Sequence, residues 1–269
     1  MIDVVIHRWL RVPYPLNVTT RLKTQKPRAT VLFIHGIGNS STSWDDVINA
    51  LPHDINCISI DLLGFGNSPR PSWAQYDAKT QARSVMTTFL KLRRIGPVIV
   101  VGHSLGSLVG IEIAKRYPLL VSSLILCSPP LYQADSLTLR LMPNRDKLRK
   151  DVYRLAKKYP QRFVAISAIA RKYNLTNKAF NLSRDNVNTY MNALEATIIN
   201  QNSLEDASRL QQPITIIHGK LDPVVIPRNL KILTKRNPNT QIIDIIAAHE
   251  VRGRFIPAIL KTIEYYAKK

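Results

Sequence analysis

The pentapeptide GHSLG at residues 102–106 contains a serine whose surroundings suit it to attack a carbonyl carbon. It follows the apolar run Val98–Val101, which is typical of a buried strand, and a helical pattern begins at Leu105. A serine on a tight strand-to-helix turn has a strained backbone, and the flanking glycines prevent steric collisions there. A bare G-x-S-x-G also occurs by chance in glycine-rich turns, but this context predicts that Ser104 is a nucleophile.

A serine hydroxyl is a poor nucleophile until a base takes its proton, so a histidine is required. His249 directly follows the strand-like run QIIDIIAA and precedes the last helical pattern, which predicts that it lies at the same sheet edge as Ser104. We therefore interpret His249 as the base, with a structural histidine as the alternative. The other five histidines have structural interpretations: His7 on an outlying strand, His53 in a turn, His103 pointing away from the serine, His218 in the core and His35 holding the next loop.

The base needs an acid, and the reaction needs donors for a developing oxyanion. Asp222 lies in GKLDP, a loop after another strand-like run, and we interpret it as the acid; an aspartate that caps a turn before proline is the alternative. The N–H of Leu105 begins a helix beside Ser104 and is the first predicted oxyanion donor. The second is the N–H of Ile37 in the HGIG turn, with Gly38 as the alternative.

Short apolar runs alternate with helical patterns along most of the chain, which predicts an α/β fold with a mostly parallel sheet covered on both faces. Between residues 131 and 210 the pattern is helical throughout, and it predicts a cap inserted into a core formed by residues 1–130 and 211–269. The predicted strands are Val4–Trp9, Val18–Lys23, Thr30–Gly36, Ile55–Asp61, Val98–Val101, Ser123–Cys127, Pro213–His218 and Gln241–Ile246.

The segments FIHGIGNSSTSW, IDLLGFGNSP, VVGHSLG, IIHGKLDPVV and AAHE resemble, in their order, the cap-bearing branch of the α/β-hydrolase superfamily. The resemblance implies an eight-stranded sheet, a helical cap, an acyl-enzyme intermediate and no cofactor or metal. It matches Ser104 to the nucleophile, Asp222 to the acid and His249 to the base, and Ile37 and Leu105 to the oxyanion donors. One departure is Glu250, which stands where the family frequently has an apolar or aromatic residue.

These features predict a serine hydrolase that cleaves a carboxylic ester, or a similar lactone or thioester, in a small-molecule acyl substrate. Two alternatives stay open. The same triad serves in C–C bond hydrolases, and a receptor with this fold would bind a ligand beneath the cap with little turnover.

The chain of 269 residues has a formal net charge of +20, but no nucleic-acid-binding motif accompanies the charge. We interpret it as a generally basic surface and do not expect a nucleic-acid partner. A weak association of the basic cap with an anionic membrane surface is the alternative. Cys57 and Cys127 are expected to be buried free thiols, and the absence of a signal-peptide pattern or a long apolar span predicts a cytoplasmic protein. The basic cap residues are Arg140, Arg145, Lys147, Arg149, Lys150, Arg154, Lys157 and Lys158.

Overall fold

The computed structural model describes residues 2–22, 24–92, 98–132, 158–172 and 176–268. Their strands form one seven-stranded sheet in the order β1-β3-β2-β4-β5-β6-β7. Strand β1 is antiparallel to β3, and every other pair is parallel. The predicted α/β class and mostly parallel sheet are therefore confirmed. The strands are β1 (Val18–Arg21), β2 (Ala29–Ile34), β3 (Ile55–Ile60), β4 (Val98–His103), β5 (Val121–Cys127), β6 (Ile214–Gly219) and β7 (Thr240–Ile245).

Helices cover both faces of the sheet because its central strands carry apolar side chains on both sides. In β2, Leu32 and Ile34 face the side covered by α2, α3 and α7, while Val31 and Phe33 face α1 and α8. Every residue of β2, β3 and β4 is buried, as is expected of strands enclosed between two helical layers. The helices of this core are α1 (Asp45–Ala50), α2 (Ala78–Leu92), α3 (Leu105–Arg116), α7 (Pro227–Arg236) and α8 (Phe255–Ala267).

The prediction of a strand at Val4–Trp9 is wrong, and it accounts for the difference between eight predicted strands and seven observed ones. This segment forms a short π-helical turn with no buried residue. Two local side-chain contacts hold it: the ring of His7 stacks on Tyr14 with the centroids 3.7 Å apart, and the Tyr14 hydroxyl donates to Asp3 Oδ2 at 2.6 Å. The apolar residues suited a strand, but the segment pairs with no strand of the described sheet.

The described parts of residues 131–210 are helical and contain no strand, in agreement with the pattern predicted for a cap. The division into core and cap stays a prediction. Of the basic cap residues only Lys158 lies within the described residues, so association with an anionic membrane also stays a prediction. The helical segments here are α4 (Pro160–Lys172), α5 (Val187–Ala193), a π-helical turn (Leu194–Ile199) and α6 (Ser203–Ser208).

Two further expectations concern the cysteines and the membrane. Cys57 and Cys127 are buried and neither forms a disulfide, as predicted. Among the helices of the described residues, none combines the length and apolar character needed to cross a membrane. The cytoplasmic location stays a prediction.

Candidate active site

The sheet brings three loops together because parallel strands end at the same edge. Ser104 follows β4, Asp222 lies in the loop after β6, and His249 lies in the loop after β7. The last two loops are joined by backbone hydrogen bonds, from the N–H of Lys220 to the Ile245 oxygen at 2.8 Å and from Leu221 to Ala247 at 3.1 Å. This pairing holds Asp222 beside His249.

Ser104, His249 and Asp222 form a continuous hydrogen-bonded series. The His249 Nδ1 atom lies 2.8 Å from Asp222 Oδ2, and its Nε2 atom lies 3.0 Å from Ser104 Oγ. With the proton on Nδ1, His249 donates to the carboxylate and accepts from the serine hydroxyl. In this arrangement His249 can act as a base toward Ser104.

The backbone of Ser104 adopts the strained conformation expected of a nucleophile on a tight turn. Its φ is 51° and its ψ is −117°, in a region that residues other than glycine rarely occupy. The N–H of Ser104 donates to the Cys127 oxygen at 2.9 Å, which anchors the turn to β5. Because the turn is tight, a Cβ at Gly102 would lie 2.4 Å from the Gly106 oxygen, and this explains the glycine at position 102.

Asp222 is held in its ionised form. Burial by itself would raise its pKa, but the hydrogen bond from His249, the charge of that imidazole and the backbone N–H of Val224 lower the pKa to about 2. The Val224 N–H donates to Asp222 Oδ1 at 2.7 Å, so both carboxylate oxygens are engaged. The carboxylate is therefore charged at neutral pH and orients the imidazole.

The predicted oxyanion donors flank Ser104. The N–H of Leu105 is in the first turn of α3, where a backbone N–H has no intrahelical acceptor. Ile37 lines the cavity that contains Ser104, and a Cβ at the preceding Gly36 would lie 3.3 Å from Ser104 Cβ. Gly38, the alternative donor, instead packs against aromatic rings, since a Cβ there would lie 2.5 Å from Phe180 Cε2. The roles of Ile37 and Leu105 stay predictions.

Two other histidines support the loops. The His35 ring lies 2.7 Å from the Gly36 oxygen through Nδ1 and accepts from the Leu62 N–H at 2.9 Å through Nε2, as expected of a residue that holds this loop. The Nε2 atom of His103 donates to the His249 carbonyl oxygen at 3.0 Å. No sequence pattern indicated this hydrogen bond from His103, which positions the backbone of His249.

Burial of His103 predicts a specific loss of stability in acid. Desolvation, followed by the neighbouring charge of His249, lowers its pKa from 6.5 to about 3. Between these pH values the unfolded chain binds a proton that the folded chain does not, so stability falls as the pH decreases. Urea unfolding measures the free energy of unfolding at pH 7 and at pH 5. The decrease between these pH values should be smaller in His103→Gln than in the wild type by about 2 kcal/mol.

The matched control for this measurement is His53→Gln, at an exposed turn. The pKa of His35 is also lowered by burial, so His35 contributes in the same direction and remains in both variants. The same pH dependence in His103→Gln and the wild type would contradict a neutral, buried His103.

The hydrogen-bonded series opens into a cavity of about 800 Å³. Ser104 and His249 lie on its wall, and apolar side chains from the helical segment between β5 and β6 cover them. The sequence predicts helix in this segment, but helical spacing alone does not indicate which of its residues line the cavity. The aromatic and aliphatic lining residues from the described part of this segment are Tyr132, Phe163, Phe180, Tyr190, Leu194, Ile198 and Ile199.

Comparison with known proteins gives the family. The family model described as the alpha/beta hydrolase fold matches residues 29–251, which is most of the chain. The chain belongs to the α/β-hydrolase family. The described sheet, with its strained serine after β4, is the architecture of that family.

The chain is similar to several individual α/β-hydrolases, but either over a small part of their length or at low sequence identity. The Arabidopsis thaliana protein named probable lysophospholipase BODYGUARD 4 is 33% identical over 118 residues, which are 43% of this chain but only 28% of that protein. The enol-lactonase from Burkholderia xenovorans has a TM-score of 0.69 at 17% identity, over 94% of this chain and 96% of the other. The thermophilic esterase from Thermogutta terrifontis has a TM-score of 0.68 at 20% identity, over 94% of each chain. At these identities the two solved structures show the fold alone.

Proposed function

We propose that this α/β-hydrolase cleaves a carboxylic ester, or a similar lactone or thioester, through an acyl-enzyme formed on Ser104. The observation that carries the proposal is the series from Asp222 through His249 to Ser104, with contacts of 2.8 Å and 3.0 Å. This series opens into a cavity large enough for a small-molecule substrate.

The residues divide the chemistry between them. Ser104 Oγ attacks the acyl carbonyl carbon while His249 Nε2 takes the hydroxyl proton, and ionised Asp222 stabilises the imidazolium. The N–H groups of Ile37 and Leu105 stabilise the oxyanion of the tetrahedral intermediate. His249 then gives its proton to the departing alcohol oxygen, and a water activated by the same imidazole hydrolyses the acyl-enzyme.

The cavity wall indicates an apolar acyl group. Phe163, Tyr190 and Phe180 form a cluster, with ring centroids 5.8 Å apart for the first pair and 6.3 Å apart for the second. Leu194 and Ile198 extend the same surface. A methylene group that leaves water for such a surface contributes about 0.8 kcal/mol to binding.

A series of p-nitrophenyl esters from acetate to octanoate tests the proposal. We expect kcat/KM to rise at least about tenfold along the series, since each added methylene is buried against the apolar wall. Turnover is followed by release of p-nitrophenolate. A flat or falling profile would contradict an acyl site in this cavity.

The same experiment separates the alternatives when a fluorophosphonate probe is added. Labelling of Ser104 without turnover of any ester would favour cleavage of a different bond, as in C–C hydrolases. Failure of the folded protein to react with either the probe or the esters would favour a ligand-binding receptor.

A further inference from the structure

The segment that precedes β1 exposes large apolar side chains close together in the sequence. Ile2, Trp9 and Leu10 are 76%, 73% and 68% exposed, and Val5 and Val12 are exposed as well. Ile2, Val5 and Trp9 are separated by three and four residues, a spacing that brings side chains to the same side of a helical turn. These five residues form the N-terminal apolar surface. Exposed apolar surface of this kind is typical of a site that contacts a membrane or another protein.

The rest of the protein holds this segment in place. Tyr14, which belongs to the buried core, donates its hydroxyl to Asp3 Oδ2 at 2.6 Å. From helix α2, Arg83 Nη2 donates to the Arg11 carbonyl oxygen at 3.0 Å. Asp3 is also the only acidic residue of the chain before Asp45. These contacts engage polar groups of the segment and leave its apolar side chains exposed.

A basic cleft of about 410 Å³ lies beside the N-terminal apolar surface, and Val12 belongs to both. Among the described residues, Asp77 is the only acid that lines the cleft. Its Oδ1 atom accepts from the Thr80 N–H at 2.7 Å, so this carboxylate is engaged at the start of α2. Four basic residues against one acid give the cleft a positive charge. They are Arg8, Arg11, Lys79 and Arg83.

The cleft lies at the edge of the sheet that carries the candidate active site. Leu63 and Trp73, from the loop after β3, line it. Strand β3 belongs to the parallel part of the sheet, so its loop leaves at the same edge as the loops that carry Ser104, Asp222 and His249. A partner bound at the cleft therefore meets the edge of the sheet at which the active-site cavity lies.

Charge and apolar character together indicate the partner. An anionic phospholipid bilayer offers negative headgroups to the basic cleft and an apolar interior to the exposed side chains. Tryptophan in particular is enriched where a protein meets the boundary between lipid and water. A second copy of this chain would instead bring the same basic cleft, and a further net charge of +20, against the first.

We propose that the N-terminal apolar surface and the basic cleft dock the protein on anionic phospholipid bilayers. Trp9 and Leu10 enter the boundary between headgroups and acyl chains, and headgroup phosphates contact the basic side chains of the cleft. This surface is distinct from the basic cap, because none of the basic cap residues lines the cleft. The inference goes beyond the proposed ester hydrolysis and does not depend on it.

Sedimentation with sucrose-loaded vesicles tests the proposal on the full chain. The vesicles contain phosphatidylcholine either alone or mixed with phosphatidylserine, and the fraction of protein in the pellet gives a partition coefficient. The wild type is expected to bind the anionic vesicles at least about tenfold more tightly, and added salt should weaken this binding. No binding, or equal binding to both kinds of vesicle, would overturn the proposal without any variant being made.

A matched pair of leucine variants tests the apolar contact. Leu10→Ser should lower the partition coefficient on anionic vesicles by about tenfold, because the side chain no longer leaves water on binding. The control is Leu119→Ser, since Leu119 is 99% exposed and lies just before β5, at the opposite edge of the sheet. It should bind as the wild type does. Both side chains are exposed, so neither replacement removes a core contact. Equal binding by the two variants would contradict docking through residues 2–12.

A second matched pair separates the basic cleft from the general positive charge. The double variant Arg8→Gln/Lys79→Gln should weaken binding to anionic vesicles by about tenfold or more. The double variant Lys231→Gln/Lys235→Gln loses the same charge from exposed positions on α7, and it should weaken binding by less than about threefold. Equal losses in the two would show attraction by the net charge alone and would overturn a specific docking surface.

Tryptophan fluorescence reports whether the apolar surface enters the bilayer. The chain has three tryptophans, of which Trp44 is buried, Trp73 is half-buried and Trp9 is exposed. Lipids with brominated acyl chains should quench part of the emission of the bound wild type. Trp9→Phe should still bind but lose the quenched part. Binding without quenching would contradict insertion of Trp9.

Self-association is the competing explanation for the exposed apolar surface. Sedimentation equilibrium without vesicles is expected to show a monomer. A dimer that Leu10→Ser dissociates and Leu119→Ser does not would show that a second copy covers this surface, and it would overturn the proposal.

Discussion

Ser104→Ala is expected to lower kcat for p-nitrophenyl esters by about 10⁴-fold or more. In the proposed mechanism the substitution removes the oxygen that attacks the acyl carbon, and it leaves the His249–Asp222 pair at 2.8 Å without a nucleophile to activate. The proposed oxyanion donors, the N–H groups of Ile37 and Leu105, remain, so slow attack by water on bound ester is expected to set the residual rate. Single-turnover kinetics with p-nitrophenyl hexanoate measures the loss.

The matched control is Ser123→Ala in β5. Ser123 is buried and its Oγ has no hydrogen-bond partner among the described residues, so the control loses an equivalent hydroxyl away from the cavity. It should keep wild-type turnover and react with a fluorophosphonate, whereas Ser104→Ala should do neither. Unchanged turnover in Ser104→Ala would exclude the serine mechanism.

Gly106→Ala is expected to destabilise the fold by about 3 kcal/mol or more. A Cβ at this position would lie 2.2 Å from the Ile34 carbonyl oxygen and 2.6 Å from that of His35. Both contacts are with the backbone at the end of β2, which cannot rotate away as a side chain can. Helix α3 must therefore move off the sheet, and the turn that carries Ser104 moves with it. Urea unfolding measures the free energy of the change.

The control for this prediction is Gly110→Ala, one turn further along α3. The nearest atom to a Cβ there is Val100 Cγ1 at 3.3 Å, the end of a side chain that can adjust. Alanine also favours a helix over glycine by about 1 kcal/mol, so the control should stay within about 1 kcal/mol of the wild type. Equal stability of the two variants would contradict the close approach of α3 to β2.

The local pattern of apolar residues was sufficient to predict a helix or strand where its spacing matched the burial of the element in the fold. The last helical pattern of the sequence, after His249, forms α8, because its apolar residues recur at helical spacing on one face. The ends of the buried strands agree with the predicted ends to within two residues, since an apolar run of that length between turn residues suits a strand enclosed on both faces. Val4–Trp9 has similar composition but is not enclosed, and there the prediction failed.

The three predicted site residues could be chosen because of topology rather than distance along the chain. Ser104, Asp222 and His249 each follow a strand of a parallel sheet, and such strands end at one edge. The sequence therefore determined the fold class. It also determined that these three loops lie at one edge of the sheet, and which residues meet there. These inferences follow from the connectivity of a parallel sheet, in which the strands end at the same edge, and they do not depend on side-chain packing.

Only the tertiary structure decided what surrounds those residues. Whether a side chain in the segment between β5 and β6 faces the cavity depends on how the helices pack, and a helical pattern leaves that packing open. The sequence determined which residues meet at the site, because the topology of a parallel sheet brings their loops to one edge. Packing between segments that are distant in sequence decided the shape and polarity of the cavity.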